Sequence, residues 1–190
     1  MRVIAGTARG IPLRAPRDPG TRPVTYRVKE TLFAILGERV VDATVLDLYA
    51  GSGALGIEAL SRGAARAVFV ERGRAALATI RQNLAATHLE AGGTIVSQDV
   101  ERFLARGSER GPYRLAFLDP PYEERAILAP LERLLPLLSP DASVVVKHFW
   151  RTDVPAPPGL APWRTRRFGE TALTFLARAR EDETDGVEGS

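Results

Sequence analysis

The chain has 190 residues, 45% hydrophobic and 26% charged, with 26 Lys and Arg against 23 Asp and Glu and no cysteine. Such a chain can bury a sizeable core in one domain with a short appendage, while the missing thiols exclude a disulfide framework, a thiolate metal site and a cysteine nucleophile. Two histidines far apart in sequence, His88 and His148, argue against a zinc site, no apolar run approaches the roughly 18 residues of a membrane span, and the early arginines and glycines do not fit a signal peptide, so the expected location is the cytoplasm.

Residues 1–40 carry eight bases and three acids, a net +5. Such a segment suits phosphate; it also reads as a solvated, arginine-rich surface, since 24 of the 26 bases are arginine. Two short strands are predicted at residues 2–5 and 11–14, joined through Gly6 and Gly10. Pro16, Pro19, Gly20 and Pro23 make residues 15–23 an extended loop. A helix follows over 24–37, because Val28, Leu32, Ile35 and Leu36 share one face and Gly37 is a stop signal.

From residue 44 strand and helix alternate. Strands are predicted at 44–48, 67–70, 94–97, 115–118 and 143–147, and helices at 54–62, 74–87, 100–105 and 127–138. The strands are short continuous apolar runs, as expected for a parallel sheet covered on both faces. A proline-rich loop spans 154–163, and strands at 165–168 and 171–176 flank Gly169-Glu170, which fits a type II′ hairpin closing the sheet's edge. Residues 181–190 hold five acids and no base, so the preceding 180 residues carry +8; this tail reads as disordered. The expected fold is α/β: a doubly wound, mostly parallel seven-stranded sheet over 41–180 with an antiparallel C-terminal hairpin, a hairpin-and-helix extension over 1–40, and the tail over 181–190.

The turn after the first strand reads Asp47-Leu48-Tyr49-Ala50-Gly51-Ser52-Gly53-Ala54-Leu55-Gly56, in which Gly51, Gly53 and Gly56 satisfy G-x-G-x-x-G. Glycines there permit a tight turn and close backbone approach by a ligand. Glu71 ends the second strand twenty residues after Gly51, where a carboxylate can accept from both hydroxyls of a ribose. Together they predict an adenosine-containing ligand. Asp47, immediately before the glycines, would repel a pyrophosphate but attract an ammonium or sulfonium, and S-adenosylmethionine carries both. Asp99, ending the third strand, can accept from the adenine amine. The competing reading of Asp47 is a cap on the turn's own amides.

Asp119-Pro120-Pro121-Tyr122 follows the fourth strand, beside the switch point of a doubly wound sheet. The prolines fix the backbone and leave carbonyls free to accept. Such a site suits the planar amino group of a base. With Asp119 and the Pro120 carbonyl each accepting one N–H, the nitrogen lone pair can leave the ring and point at a methyl group, so positioning and electrostatics supply the rate. Tyr122 can stack on the base. Alone, the motif also reads as a rigid turn with a packed tyrosine.

These residues resemble the class I S-adenosylmethionine-dependent methyltransferases with an amino-methylating (Asn/Asp)-Pro-Pro-(Tyr/Phe) motif, and more narrowly the bacterial 16S rRNA guanine-N2 methyltransferases of the small ribosomal subunit. The resemblance runs from Arg2 to about Arg178, through the 2–10 segment, Thr21-Arg22-Pro23, the 27–33 segment, the 47–63 segment and Asp119 to Tyr122. It implies cofactor contacts at Asp47, Ala50, Gly51, Ser52, Gly53, Leu55, Glu71, Arg72, Asp99 and Val100, and catalysis by Asp119, Pro120 and Tyr122. It implies a guanine target in 16S rRNA of a 30S subunit or a late assembly intermediate. The segment Val146-Lys147-His148-Phe149, where relatives often carry an acid, departs from the pattern.

Substrate reading follows from economy. With about 140 residues in the catalytic sheet, no separate target-recognition domain remains for reading a DNA major groove, and a basic hairpin and helix suit RNA shape and backbone. Arg9, Arg14, Arg27 and Lys29 are expected on rRNA backbone and Arg22 beside the cofactor. No metal is needed, and a monomer is expected. Amino-methylation of adenine or cytosine in DNA or another RNA is the nearest alternative. An NAD-dependent oxidoreductase would share the glycine turn but lacks a convincing proton-transfer group. A non-catalytic ribosome-assembly factor would not need Asp119-Pro120-Pro121-Tyr122. His88 reads as an ordinary polar residue near a helix end, His148 as a residue of the surface or, as the alternative, of a substrate groove, and Trp150 and Trp163 as packing residues, with base stacking as the alternative.

Overall fold

The computed structural model describes residues 1–16, 25–107, 111–120 and 127–179. Among them a seven-stranded sheet is built from β1 (Thr44–Leu48), β2 (Arg66–Glu71), β3 (Gly93–Ser97), β4 (Tyr113–Leu118), β5 (Leu138–Phe149), β6 (Leu160–Phe168) and β7 (Thr171–Arg178), in the order β3-β2-β1-β4-β5-β7-β6. The first five strands are parallel; β7 runs antiparallel between β5 and β6. The helices are α1 (Tyr26–Leu36), α2 (Ala54–Ser61), α3 (Arg74–Thr87), α4 (Val100–Arg106) and α5 (Leu128–Leu134).

Alternate residues of each strand face opposite layers. Val45, Phe69, Phe117 and Phe175 pack with Leu32, Phe33, Ile57 and Ile80 of α1, α2 and α3. Leu46, Val68, Val70 and Leu118 pack with Phe103, Leu104, Leu131 and Leu134 of α4 and α5. The chain winds outward from β1 to β3, then returns to place β4 on the other side of β1. That reversal opens a crevice at the carboxyl ends of β1 and β4, where doubly wound sheets bind ligands.

Four expectations change. The predicted N-terminal hairpin is shorter than expected: the Val3 and Leu13 amides donate to the Ile11 and Met1 carbonyls at 3.0 and 2.8 Å on either side of one bridge, Arg2 with Pro12. The amides of Ile4 and Ala5 turn away from a ladder to the Glu58 carboxylate, at 2.8 and 3.0 Å. The predicted helix over 127–138 stops at Leu134 and tightens into a 3-10 turn, Leu135–Leu137, because Pro136 has no N–H to continue it. The fifth strand therefore starts early, at Leu138, and residues 139–142 bulge opposite Arg114, with Pro140 in the bulge. The sixth strand also starts early, at Leu160, inside the predicted proline-rich loop. Gly169 takes φ +62 between β6 and β7, as the first turn residue of a type II′ hairpin requires. The residues 181–190, 17–24 and 121–126 lie outside the described residues.

The N-terminal segment is clamped to α2. Glu58, fully buried, receives Ile4 and Ala5 N–H and pairs with Lys29 and Arg62 at 2.9 and 2.8 Å. Ser61 donates to the Ala5 carbonyl at 2.6 Å and accepts from the Ala8 amide at 3.0 Å. Gly6 lies so close that a Cβ there would meet the Ser61 carbonyl oxygen at 1.6 Å, and its φ of +86 suits only glycine. Among the described residues no helix is long and apolar enough to cross a membrane.

Candidate active site

The chain leaves β1 through three left-handed residues, Tyr49 (φ +59), Gly51 (φ +56) and Gly53 (φ +75). For tyrosine that conformation costs of order 1–3 kcal/mol and is held by its surroundings. The Ala50 amide donates to Val70 at 3.2 Å and the Gly53 amide to Ala50 at 2.7 Å, while Asn83 of α3 donates to the Ser52 carbonyl at 2.9 Å. Gly56 acts differently: a Cβ there would meet the Phe69 ring at 2.3 Å, so this glycine sets how closely α2 approaches β2.

Three carboxylates stand at successive strand ends on this edge. Asp47, 2% exposed, accepts the Gly56 amide at 3.0 Å. Burial raises its pKa to about 8, with the negative charges of Asp119 and Glu71 adding to the rise and the Gly56 N–H opposing it. The capping reading of Asp47 thus describes one of its oxygens. Glu71 accepts the Gly51 amide on Oε2 at 2.9 Å and the Arg72 and Gly73 amides on Oε1 at 2.8 and 2.7 Å, tying the first and second turns together. Asp99 caps α4 through the amides of Glu101 and Arg102 and receives Arg72 Nη1 at 3.1 Å. Leu55 and Val100, also expected near a cofactor, are buried at the starts of α2 and α4.

Asp119 leaves β4 beside this turn, its amide 3.5 Å from the Leu48 carbonyl oxygen of β1. Lys147 Nζ donates to Asp119 Oδ1 at 2.6 Å; the lysine side chain is 9% exposed and the aspartate 23%. Burial raises the Asp119 pKa, and the charge and hydrogen bond of Lys147 pull it back. Sequence reasoning marked the Lys147 segment only as a departure. A stronger signal was present, since Lys147 is one of two lysines in an arginine-rich chain and ends the apolar run Val144-Val145-Val146. Pro120 is half-buried; Pro121, Tyr122 and Arg22 lie outside the described residues.

His148 is not a surface residue. It lies within β5, 7% exposed, with Nδ1–H donating to the Phe149 carbonyl at 2.8 Å and Nε2 accepting from Thr174 at 2.9 Å. Burial lowers its pKa, so the ring stays neutral. Trp150 packs under two guanidinium groups, Arg167 at 3.6 Å and Arg151 at 4.7 Å from its centroid.

Of the residues expected on RNA, Arg9, Arg14 and Arg27 are exposed. Arg14 reaches Gln82 at 3.2 Å, and its backbone is held from both sides by Asn83, which also holds Ser52. Lys29 requires correction. It is 1% exposed, bonds the Arg2 carbonyl at 2.7 Å and pairs with Glu58, and burial lowers its pKa. The apolar face of α1 carries it inward, because position 29 adjoins Val28, Leu32 and Phe33.

Comparison with known proteins agrees with this geometry. Residues 1–177 match the family described as "Conserved hypothetical protein 95". The chain is 38% identical over 192 residues to "Ribosomal RNA small subunit methyltransferase D" of Escherichia coli K12, covering 97% of this chain and 93% of that one. It is 36% identical to the protein of the same name from Haemophilus influenzae over 123 residues, 64% of each chain. The solved structure of a hypothetical protein from Thermus thermophilus superposes with a TM-score of 0.78 at 33% identity, covering 94% of this chain and 99% of that one. The strand order, the glycine turn, the Asp119 edge and these matches together place the chain in the family of the bacterial small-subunit rRNA methyltransferases.

Proposed function

We propose that the chain transfers a methyl group from S-adenosylmethionine to the exocyclic N2 amine of a guanine in 16S rRNA of the small subunit. The observation that carries this reading is the placement of Asp119 and Pro120 at the carboxyl end of β4, directly beside the Asp47 turn of β1. Relatives named for small-subunit rRNA methylation support the substrate class.

S-adenosylmethionine fits the donor set. Asp47 is a buried carboxylate whose pKa rises to about 8, so a cation beside it restores its charge. Gly51 and Gly53 let backbone approach a ligand, and Glu71 and Asp99 stand where a ribose diol and an adenine amine would be read. When bound, S-adenosylmethionine supplies the electrophilic methyl group. The chain's residues do the rest. Asp119 and the Pro120 carbonyl accept the two N–H bonds of the amine and aim its lone pair. Lys147 opposes the rise that burial gives the Asp119 pKa, and the carboxylate form stabilises the positive charge that develops on nitrogen and takes up the released proton. Tyr122 stacks on the guanine.

Asp119→Ala tests the assignment. Methyl transfer should fall roughly 10²–10³-fold, the cost of losing one preorganised polar group, while S-adenosylmethionine binding by calorimetry stays. Full modification by this variant would sink the chemistry. Tight binding of NAD with no binding of S-adenosylmethionine would move the chain to the oxidoreductase reading.

A further inference from the structure

Removing Lys29 from the solvent-facing bases leaves the question of what holds the RNA strand. We propose that the groove between the start of α1 and the β6–β7 hairpin binds the RNA phosphodiester backbone beside the catalytic edge, with Arg27, Arg166 and Arg167 as its phosphate contacts; this rests on the rRNA reading above.

The groove has a volume of about 480 Å³ and is lined by Thr25, Arg27, Thr31, Arg166, Arg167, Phe168 and Gly169. That volume lies in the range of ligand sites. Its lining has three guanidinium groups, two hydroxyls and no acid. All three arginines are exposed, and none forms an ion pair among the described residues. Three like charges around one concavity repel each other, and a polyanion relieves that repulsion. Guanidinium forks match phosphate geometry, and hydroxyls add neutral donors to the phosphate oxygens.

One of the three arginines is held in place. Arg167 stacks over Trp150 at 3.6 Å and donates Nε–H to the Gly169 carbonyl at 2.8 Å, so its orientation is fixed before a ligand arrives. Arg166 and Arg167 are consecutive residues of β6, which among the described residues pairs with β7 alone and is exposed from Ala161 to Arg167. The location relates the groove to the chemistry. The Gly169 turn follows Phe168, which pairs with Thr171, and Thr171 pairs with Phe149 at the carboxyl end of β5. That is the same sheet edge at which Lys147 holds Asp119. A strand in the groove therefore runs along the edge on which the target base is placed.

The test measures binding of 16S rRNA to the full chain in filter assays from 50 to 200 mM KCl, comparing wild type with Arg27→Ala, Arg166→Ala, Arg167→Ala and the triple variant. S-adenosylmethionine affinity and melting temperature control for folding. Each lost contact to a single strand should lower the salt slope by about 0.7, so the triple variant should lose about 2. Its KM for 30S particles lacking the modification should rise at least tenfold. An unchanged slope and KM, with wild type binding and methylating rRNA, overturn the groove assignment and leave the functional reading standing. Wild type with no rRNA affinity at any salt overturns the functional reading. Normal rRNA affinity in the triple variant, with weakened binding to the assembled particle alone, assigns the groove to a ribosomal protein and also overturns the proposal.

Discussion

The Lys147–Asp119 pair is the most consequential contact in the site, because without it the half-buried carboxyl would keep only the influence that raises its pKa. Burial holds the Asp119 pKa up and Lys147 holds it down. In the proposed chemistry the charged form of Asp119 stabilises a cationic nitrogen, so activity should rise with pH through its titration. In Lys147→Met the downward pull is gone, and the acid limb of kcat/KM should move to higher pH. Lys147→Arg should restore much of it; a pH profile identical to wild type in the Met variant would show that Lys147 serves packing only. Asp47 gives a second pH dependence, on stability. Its folded pKa of about 8 lies above the ordinary 3.8. Between those values the native state holds a proton that the unfolded chain has released, so stability falls as pH rises through that window. Asp47→Asn keeps an acceptor for the Gly56 amide and removes the titration. Its melting temperature relative to wild type should climb between pH 4 and pH 8, with S-adenosylmethionine affinity reduced. A difference independent of pH would contradict the assignment.

At the scale of elements, α2 is the hub. Its N-terminus receives the glycine turn, its Gly56 lets it sit on Phe69, and its Glu58 collects Ile4, Ala5, Lys29 and Arg62. Glu58→Ala would leave Lys29 buried without its counter-ion and two amides without acceptors. The expected loss is about 3–5 kcal/mol in urea unfolding; a loss under ~1 kcal/mol would mean that the clamp is incidental. The regular elements were legible because their apolar periodicity is local: α3 and β1 fall where the pattern puts them. The N-terminal hairpin pairs only around Arg2 and Pro12 because the Ile4 and Ala5 amides bond a carboxylate 54 and 53 residues away, which no local pattern reveals. Lys29 was misassigned for the same reason. Its charge is visible in the sequence, but its partner Glu58 lies within an otherwise apolar helix, and only the folded chain joins them. The helix predicted over 127–138 overran its end at Leu134, although Pro136, which cannot continue it, is plain in the sequence.

At the scale of the molecule, the sheet order brings three separate sequence segments to one edge: the 47–56 turn, Asp119-Pro120, and the Lys147 and Gly169 ends of the C-terminal strands. The glycine turn and the Asp119 motif were readable as spacings, because each is continuous in the chain. The Lys147 partner and the arginine groove were not, because they depend on β5 lying beside β4 and on the hairpin folding back toward α1. The basic surface is thus shared between the first helix and the last hairpin rather than confined to residues 1–40. The central claim is that this edge methylates the amino group of a guanine in small-subunit rRNA. The direct measurement is transfer from labelled S-adenosylmethionine to 30S particles lacking the modification and to naked 16S rRNA, followed by nucleoside analysis of the digested RNA. The account predicts labelled N2-methylguanosine from at least one of the two substrates. Label on a ring nitrogen or a ribose hydroxyl, or no transfer to either substrate by protein that binds S-adenosylmethionine, would contradict it.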